Sequence, residues 1–341
     1  MNAKEIKESI KICLNQKLVP FIQGSPGIGK SDIVKDIAKK GKLKVIDIRL
    51  SQCDPTDLSG LPRFNADKAE FVPFDIFPLE DTPLPKGYNG WLVFLDEINS
   101  ASRSIQAAAY KLVLDRMVGQ RKLHDDVYII CAGNKETDNA VTNPISTALR
   151  SRFITLPFEI DYKQWLEWAI DNDIDYRITS YISYAGDSLS TFDPDKIDQA
   201  YACPRTWVML DKVLKEITNK KVTDLTKYQD LFEGIVGSIS AQFLAFCEYG
   251  SVLPKIQNVL SGKETDRGLN LGQKYMIMGY IAQNADKITK EEECNNVMDY
   301  IDSFGKDFIP PFCMSAIKRN PKLPAYSAFK TGMGKFAKWL N

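Results

Sequence analysis

The chain predicts an α/β fold: a five-stranded parallel sheet flanked by helices, followed by a helical region. Three observations carry this. Gly24-Ser25-Pro26-Gly27-Ile28-Gly29-Lys30-Ser31 is a complete phosphate-binding loop, and the apolar run Leu18-Val19-Pro20-Phe21-Ile22 lies just before it, where a strand belongs. A second apolar run, Trp91-Leu92-Val93-Phe94-Leu95, leads straight into Asp96-Glu97. Short apolar stretches alternate with helix-period segments as far as residue 158, and beyond it the periodicity is helical.

Strands are expected at Leu18 to Ile22, Lys44 to Arg49, Trp91 to Leu95, Val127 to Ala132 and Ile154 to Leu156. Five apolar residues in a row at 91–95 suit a strand buried on both faces, as in a parallel sheet. Asp32 to Lys40 and roughly Ser102 to Met117 read as helices. Trp165, Leu166, Trp168 and Ala169, and later Val208, Leu210, Val213, Leu214 and Ile217, repeat at helical spacing. The chain therefore divides into 1–158, 159–250 and 251–341, the last mostly helical with breaks at Pro254, Pro310-Pro311 and Pro321 to Pro324.

The loop carries a specific chemistry. Its glycines let successive N–H groups turn inward onto an anion, and the helix that follows adds the positive end of its dipole. Lys30 reaches the β- and γ-phosphates of a nucleotide, and Ser31 supplies a hydroxyl to Mg²⁺. Ligands of parallel sheets bind at the carboxyl ends of strands, where Asp96 would orient the Mg²⁺ and Glu97 would polarise an attacking water. Asn134 follows the apolar strand Val127-Tyr128-Ile129-Ile130-Cys131-Ala132. By itself Gly133-Asn134 is a turn, but in this series a neutral amide at a strand tip suits the holding of a water or a phosphate oxygen.

Further along stand Leu149-Arg150-Ser151-Arg152-Phe153 and Ala202-Cys203-Pro204-Arg205-Thr206-Trp207, the latter opening a helix with Pro204 in its first turn. Phosphate loop, Leu95-Asp96-Glu97-Ile98-Asn99, Ala132-Gly133-Asn134, the two-arginine segment and Pro204-Arg205-Thr206, in this order, resemble the AAA+ ATPases and most closely the MoxR family. The resemblance spans about Leu18 to Leu210 and continues more weakly through Gly234-Ile235-Val236-Gly237-Ser238. It implies a five-stranded parallel P-loop (AAA+) sheet over 1–158, a helical lid over 159–250, and ATP with Mg²⁺ as ligands. It implies that Arg152, with Arg150 as the second choice, is a finger reaching a neighbouring subunit's ATP. It makes Arg205 the arginine that touches the γ-phosphate from the lid. An arginine fork suits charge spread over phosphoryl oxygens, and such a finger is worth ~10³ to 10⁵ in turnover.

The resemblance also implies a homo-oligomer, a hexameric ring, acting as a chaperone that remodels or activates a partner protein, typically one with a von Willebrand factor A domain. Two alternatives stay open: a nucleic-acid motor or loader, and a switch whose slow hydrolysis times disassembly. Asp54-Pro55-Thr56-Asp57-Leu58-Ser59-Gly60-Leu61-Pro62 resembles the start of the family's insertion in its second helix. The insertion region, Gln52 to Asn89, holds Phe64, Phe71, Phe74, Phe77 and Tyr88, aromatics expected either to pack the insert onto its own domain or to meet a client. Where the family has a long β-hairpin before the Val127 strand, only a short turn fits between Gly119 and Asp126.

Bulk properties narrow the classes. At 341 residues and 44% hydrophobic, the chain can bury two or three domains' worth of core. No apolar run is long enough for a membrane span, and the charged segment Met1 to Lys7 lacks a secretion signal's apolar centre, so a cytoplasmic protein is expected. Seven cysteines without a Cys-x-x-Cys suit free thiols in a reducing compartment. With His124 the single histidine, zinc chemistry and histidine triads are excluded in practice. Forty-four basic side chains against 44 acidic ones argue against a protein whose main task is coating nucleic acid. The basic tail Lys318, Arg319, Lys322, Lys330, Lys335 and Lys338, interleaved with Phe329, Phe336 and Trp339, suits either docking on nucleic acid or, the preferred reading, an amphipathic helix lying on its own or a neighbouring subunit, with Phe329, Phe336 and Leu340 at helical spacing.

Overall fold

In the computed structural model all residues are described except 66–67, 139–142, 197–198, 221–223, 267 and 338–341. They form two compact units, Met1–Ile160 with Asp193–Ile197, and Asp161–Phe192 with Asp198–Asn341.

The first unit is built on a five-stranded parallel sheet. Its strands are β1 (Val19–Gln23), β2 (Leu43–Arg49), β5 (Gly90–Asp96), β8 (Val127–Gly133) and β9 (Phe153–Pro157), in the order β2-β5-β8-β1-β9. Each expected strand is present, with ends shifted by a residue or so. The unbroken apolar run in β5 is explained by its two faces. Trp91, Val93 and Leu95 point into one core with Ile105, Ala109 and Leu112, while Leu92 and Phe94 point into the opposite core with Ile6, Ile10, Val34 and Ile37.

Helices α1 (Ala3–Asn15) and α2 (Lys30–Gly41) cover the second face; α3 (Pro55–Ser59) and α4 (Arg103–Leu114) lie on the first. Asn2 caps α1, its Oδ1 accepting from the N–H groups of Lys4 and Glu5 at 3.1 and 3.0 Å. Lys7 of α1 and Lys40 of α2 both hold the Asp36 carboxylate, at 2.6 and 3.0 Å. The short helix α5 (Thr147–Arg150) leads into β9.

Three expectations need correction. The helix read as Ser102 to Met117 ends at Leu114, because Arg116 takes a left-handed conformation (φ 54°) and turns the chain into a two-residue strand, β6 (Met117–Val118). The short turn that follows is itself a minimal hairpin, β6 pairing with β7 (Arg121–Lys122). The insertion carries an antiparallel hairpin that its proline-rich sequence concealed, β3 (Leu61–Asn65) against β4 (Lys68–Val72). Its aromatics divide: Phe77 is buried in the core and Phe74 half-buried, but Phe71 and Tyr88 are exposed and Phe64 is 78% exposed.

The second unit is helical. It comprises α6 (Tyr162–Asp171), α7 (Tyr176–Tyr184), α8 (Pro204–Asn219), α9 (Gln229–Val236), α10 (Ile239–Cys247), α11 (Ile256–Leu260), α12 (Leu271–Gln283), α13 (Glu291–Phe304), α14 (Ile309–Arg319) and α15 (Ser327–Ala337). Pro310-Pro311 does not merely interrupt the chain; it opens α14, where the missing N–H groups cost nothing. Helices α7 and α12 approach closely at Gly279, where a Cβ would lie 1.9 Å from Ser180 Oγ. Phe329 of α15 is fully buried with Met298, Ile309 and Phe312, so the expected docking of the tail is present at that residue. Lys338, Trp339 and Leu340 lie outside the described residues, as does the Phe336 side chain. Among the described residues no helix is long and apolar enough to cross a membrane, and no group of three or more His, Cys, Asp or Glu is placed to hold a metal ion. All seven cysteines are free thiols.

Candidate active site

The phosphate loop leaves the carboxyl end of β1 and is pinned on both flanks. Gly24 N–H donates to Gly133 O at the tip of β8 (3.2 Å), and Phe158 N–H, just past β9, donates to Gln23 O (2.7 Å). Gly24 has no room for a side chain, since a Cβ there would lie 2.8 Å from Phe158 O and 2.6 Å from Ile28 Cδ1. Gly27 and Gly29 have positive φ (77° and 96°), as a loop that curls its N–H groups inward requires. Pro26 and the buried Ile28 fill the remaining loop positions. Helix α2 then starts at Lys30, so its N-terminus faces the loop's concave side.

Lys30 draws the parts together. Its ammonium donates to Gly24 O (2.5 Å), Ser25 O (3.0 Å) and Asn134 Oδ1 (3.0 Å), so loop, helix and the tip of β8 converge on one charge. Ser31 Oγ donates to Asp96 Oδ2 at 3.3 Å, which brings together the two residues expected to share a cation. Burial pushes the Asp96 carboxyl above its ordinary pKa. The hydrogen bond from Glu97 N–H, the Lys30 charge and the Ser31 hydroxyl act the other way. A partly buried carboxylate beside a hydroxyl gains from a divalent cation, which offsets the cost of its desolvation. The donor set is hard oxygen only, and it fits Mg²⁺ accompanied by a nucleotide's phosphates.

Glu97 is one of five non-glycine residues with positive φ (57°) among the described residues. Such backbone costs on the order of 1 kcal/mol and concentrates at functional positions. Its carboxylate accepts a hydrogen bond from Ser51 Oγ, which sits in the 3-10 turn (Leu50–Gln52) leaving β2. Because β2 neighbours β5, the ends of these strands meet.

Arg150 and Arg152 lie just before β9 and are both exposed. Arg150 is engaged by Glu136 at 2.6 Å, whereas Arg152 donates to the adjacent Ser151 hydroxyl at 2.7 Å. Arg205 belongs to the second unit, exposed in the first turn of α8. The first unit thus brings together Gly24 to Ser31, Asp96, Glu97 and Asn134.

Three residues at the site escaped sequence reasoning. Ser51 has no local motif and becomes visible only once strand order is known. Asp138, 6% exposed, accepts from Ser25 Oγ (3.2 Å) and from Lys135 N–H (3.1 Å), tying the phosphate loop to the segment after β8. Asn99 lies inside the quoted motif, and its side chain bonds the backbone of Asn134.

The match to a family model agrees with this geometry. Residues 20–153 match the model of the AAA domain, dynein-related subfamily. Among solved structures, the chain is similar to the Thermotoga maritima RuvB Holliday junction branch migration motor, at 15% identity over 76% of this chain and 73% of that one, with a TM-score of 0.39. A mutant of that protein gives 16% identity, 71% and 67% coverage and a TM-score of 0.40. A Cytophaga hutchinsonii protein provisionally assigned as an ATPase gives 16%, 88%, 81% and 0.36. The family match falls on the stretch that contains the loop, the acidic pair and Asn134. Residues 20–153 are therefore an AAA domain of the dynein-related subfamily, and the protein is an ATPase.

Proposed function

We propose that this ATPase works as a MoxR-type remodelling machine: a cytoplasmic ring, hexameric in the simplest case, that spends ATP to activate or rearrange a partner protein. The observation that carries the catalytic half of this reading is the convergence of Lys30 on the loop carbonyls and Asn134, beside the Ser31–Asp96 pair.

The roles follow from chemistry. The N–H groups of Gly27 to Ser31 and the α2 N-terminus bind the phosphates, and Lys30 moves from loop carbonyls to phosphate oxygens as they arrive. Ser31 and Asp96 would hold Mg²⁺, which supplies charge neutralisation at the β- and γ-phosphate oxygens when bound. Glu97 takes the proton of the attacking water once its carboxylate is released from Ser51. Asn134 orients that water or a γ-phosphate oxygen through its side-chain amide. Arg152 serves as the finger toward a neighbouring subunit. It is supported over Arg150 because Arg150 is already neutralised by Glu136. Arg205 is the residue to which the MoxR resemblance assigns contact with the γ-phosphate.

The partner half rests on the resemblance to the MoxR family, whose typical client has a von Willebrand factor A domain, and on the neutral balance of charge, which suits a protein client better than a polyanion. The exposed aromatics Phe64 and Phe71 on the β3–β4 hairpin supply apolar contact area for such a client. A pull-down with Glu97→Gln, which retains ATP without turning it over, tests this in native cells. A stoichiometric protein partner is the expected result; nucleic acid that survives high salt would overturn the remodelling reading in favour of a motor.

A further inference from the structure

We infer that Asn99 is a positioning residue for hydrolysis, acting through Asn134; this rests on the role just given to Asn134. Asn99 is 1% exposed, and its amide makes a two-point contact with one backbone unit. Nδ2 donates to Asn134 O at 2.8 Å, and Oδ1 accepts from Asn134 N–H at 3.1 Å. Both backbone polar groups of Asn134 are thereby satisfied by one side chain from the neighbouring strand's exit. That leaves the Asn134 side chain to project toward Lys30, whose ammonium it meets at 3.0 Å.

The surroundings are shaped for this amide. A Cβ on Gly133 would sit 2.3 Å from Asn99 Oδ1, so glycine stands there because the amide occupies the space. The main chain of Asn99 is held in turn: Asn143 N–H donates to Asn99 O at 2.6 Å. Asn143 and the buried Gln106 both donate to Ala101 O, at 2.9 and 3.3 Å. Since Asn99 lies two residues beyond Glu97, the peptide that carries the water-activating carboxylate and the residue that carries the water-holding amide are joined through a single side chain. Errors of about 1 Å in such placements cost ~10²-fold in rate.

The test is a cycle on the full-length protein. Asn99→Ala, the near-isosteric Asn99→Asp, Asn134→Ala and the double variant Asn99→Ala with Asn134→Ala are compared for kcat, KM and affinity for a fluorescent ATP analogue. Thermal melting confirms folding. Asn99→Asp keeps the acceptor for Asn134 N–H but replaces the donor with a charged oxygen facing Asn134 O, so it breaks the same interaction should Asn99→Ala fold poorly. The expected result is a loss of kcat of about 10- to 100-fold in each single variant, with nucleotide affinity within about threefold of the parent. In the Asn134→Ala background, adding Asn99→Ala should change kcat by less than about threefold, because nothing is left to position. Gly133→Ala, which pushes the amide out, should match Asn99→Ala, and combining the two should be no worse than either. Multiplying losses in the double variant, or a parental kcat in folded Asn99→Asp and Asn99→Ala alongside a deficient Asn134→Ala, would overturn the inference alone. A parental kcat in Asn134→Ala would instead withdraw the role of Asn134 and the inference with it.

Discussion

Lys30 concentrates the chemistry of the site in one ammonium, so its replacement separates binding from folding. Lys30→Ala should abolish ATP binding by calorimetry while the melting temperature of the nucleotide-free protein shifts little, since the loop is also pinned by Gly24 N–H and Phe158 N–H. At this scale much could be read from the chain. Gly24 to Ser31 and the Asp96-Glu97 pair are local strings whose spacing is the one that binding phosphates and a metal would demand. Ser51 and Asp138 could not be read, because each acts across a pairing that exists only after folding: β2 beside β5 for Ser51, and the segment after β8 against the phosphate loop for Asp138. Asn99 is intermediate, inside the motif by position but identifiable only from what its amide touches.

Among the elements, helices α1 and α2 are clasped by Asp36. The hydrogen bond from Lys7, helped by Lys40, holds its carboxyl below the ordinary range. A carboxyl depressed in the folded state adds stability above its unfolded pKa of about 4 and loses it as the pH falls through the folded value. Asp36→Asn should therefore lower urea stability at pH 7, and its curve should meet the parent's as the pH falls below 4. In the helical unit, the close crossing of α7 and α12 depends on Gly279 facing Ser180, whose buried Oγ has no hydrogen-bond partner. Gly279→Ala should cost about 1–3 kcal/mol through overpacking, and Ser180→Ala in the same chain should recover part of it without losing a hydrogen bond. Urea unfolding of the parent and these two variants checks both signs. The inner strands β1, β5 and β8 were legible because each is an apolar run buried on two faces, whereas the edge strands β2 and β9 are buried only in part. The β3–β4 hairpin was hidden because Leu61, Phe64, Phe71 and Val72 lie largely in solvent, where no alternation is imposed by a core.

For the whole molecule, the proposed finger given in trans by Arg152 would make turnover a property of the assembly. ATPase rate per chain should rise with protein concentration in step with oligomer formed by light scattering, and Arg152→Ala should abolish hydrolysis at every concentration while sparing ATP binding. A rate per chain independent of concentration in a proven monomer would contradict the trans arrangement and leave the intrinsic site intact. The most direct measurement is phosphate release from MgATP by the purified protein compared with Glu97→Gln under the same conditions. Steady turnover in the parent, with undiminished ATP binding and no turnover in Glu97→Gln, is the expected result. Equal turnover in the two proteins would contradict the assignment of Glu97 and of this site as the place where ATP is hydrolysed.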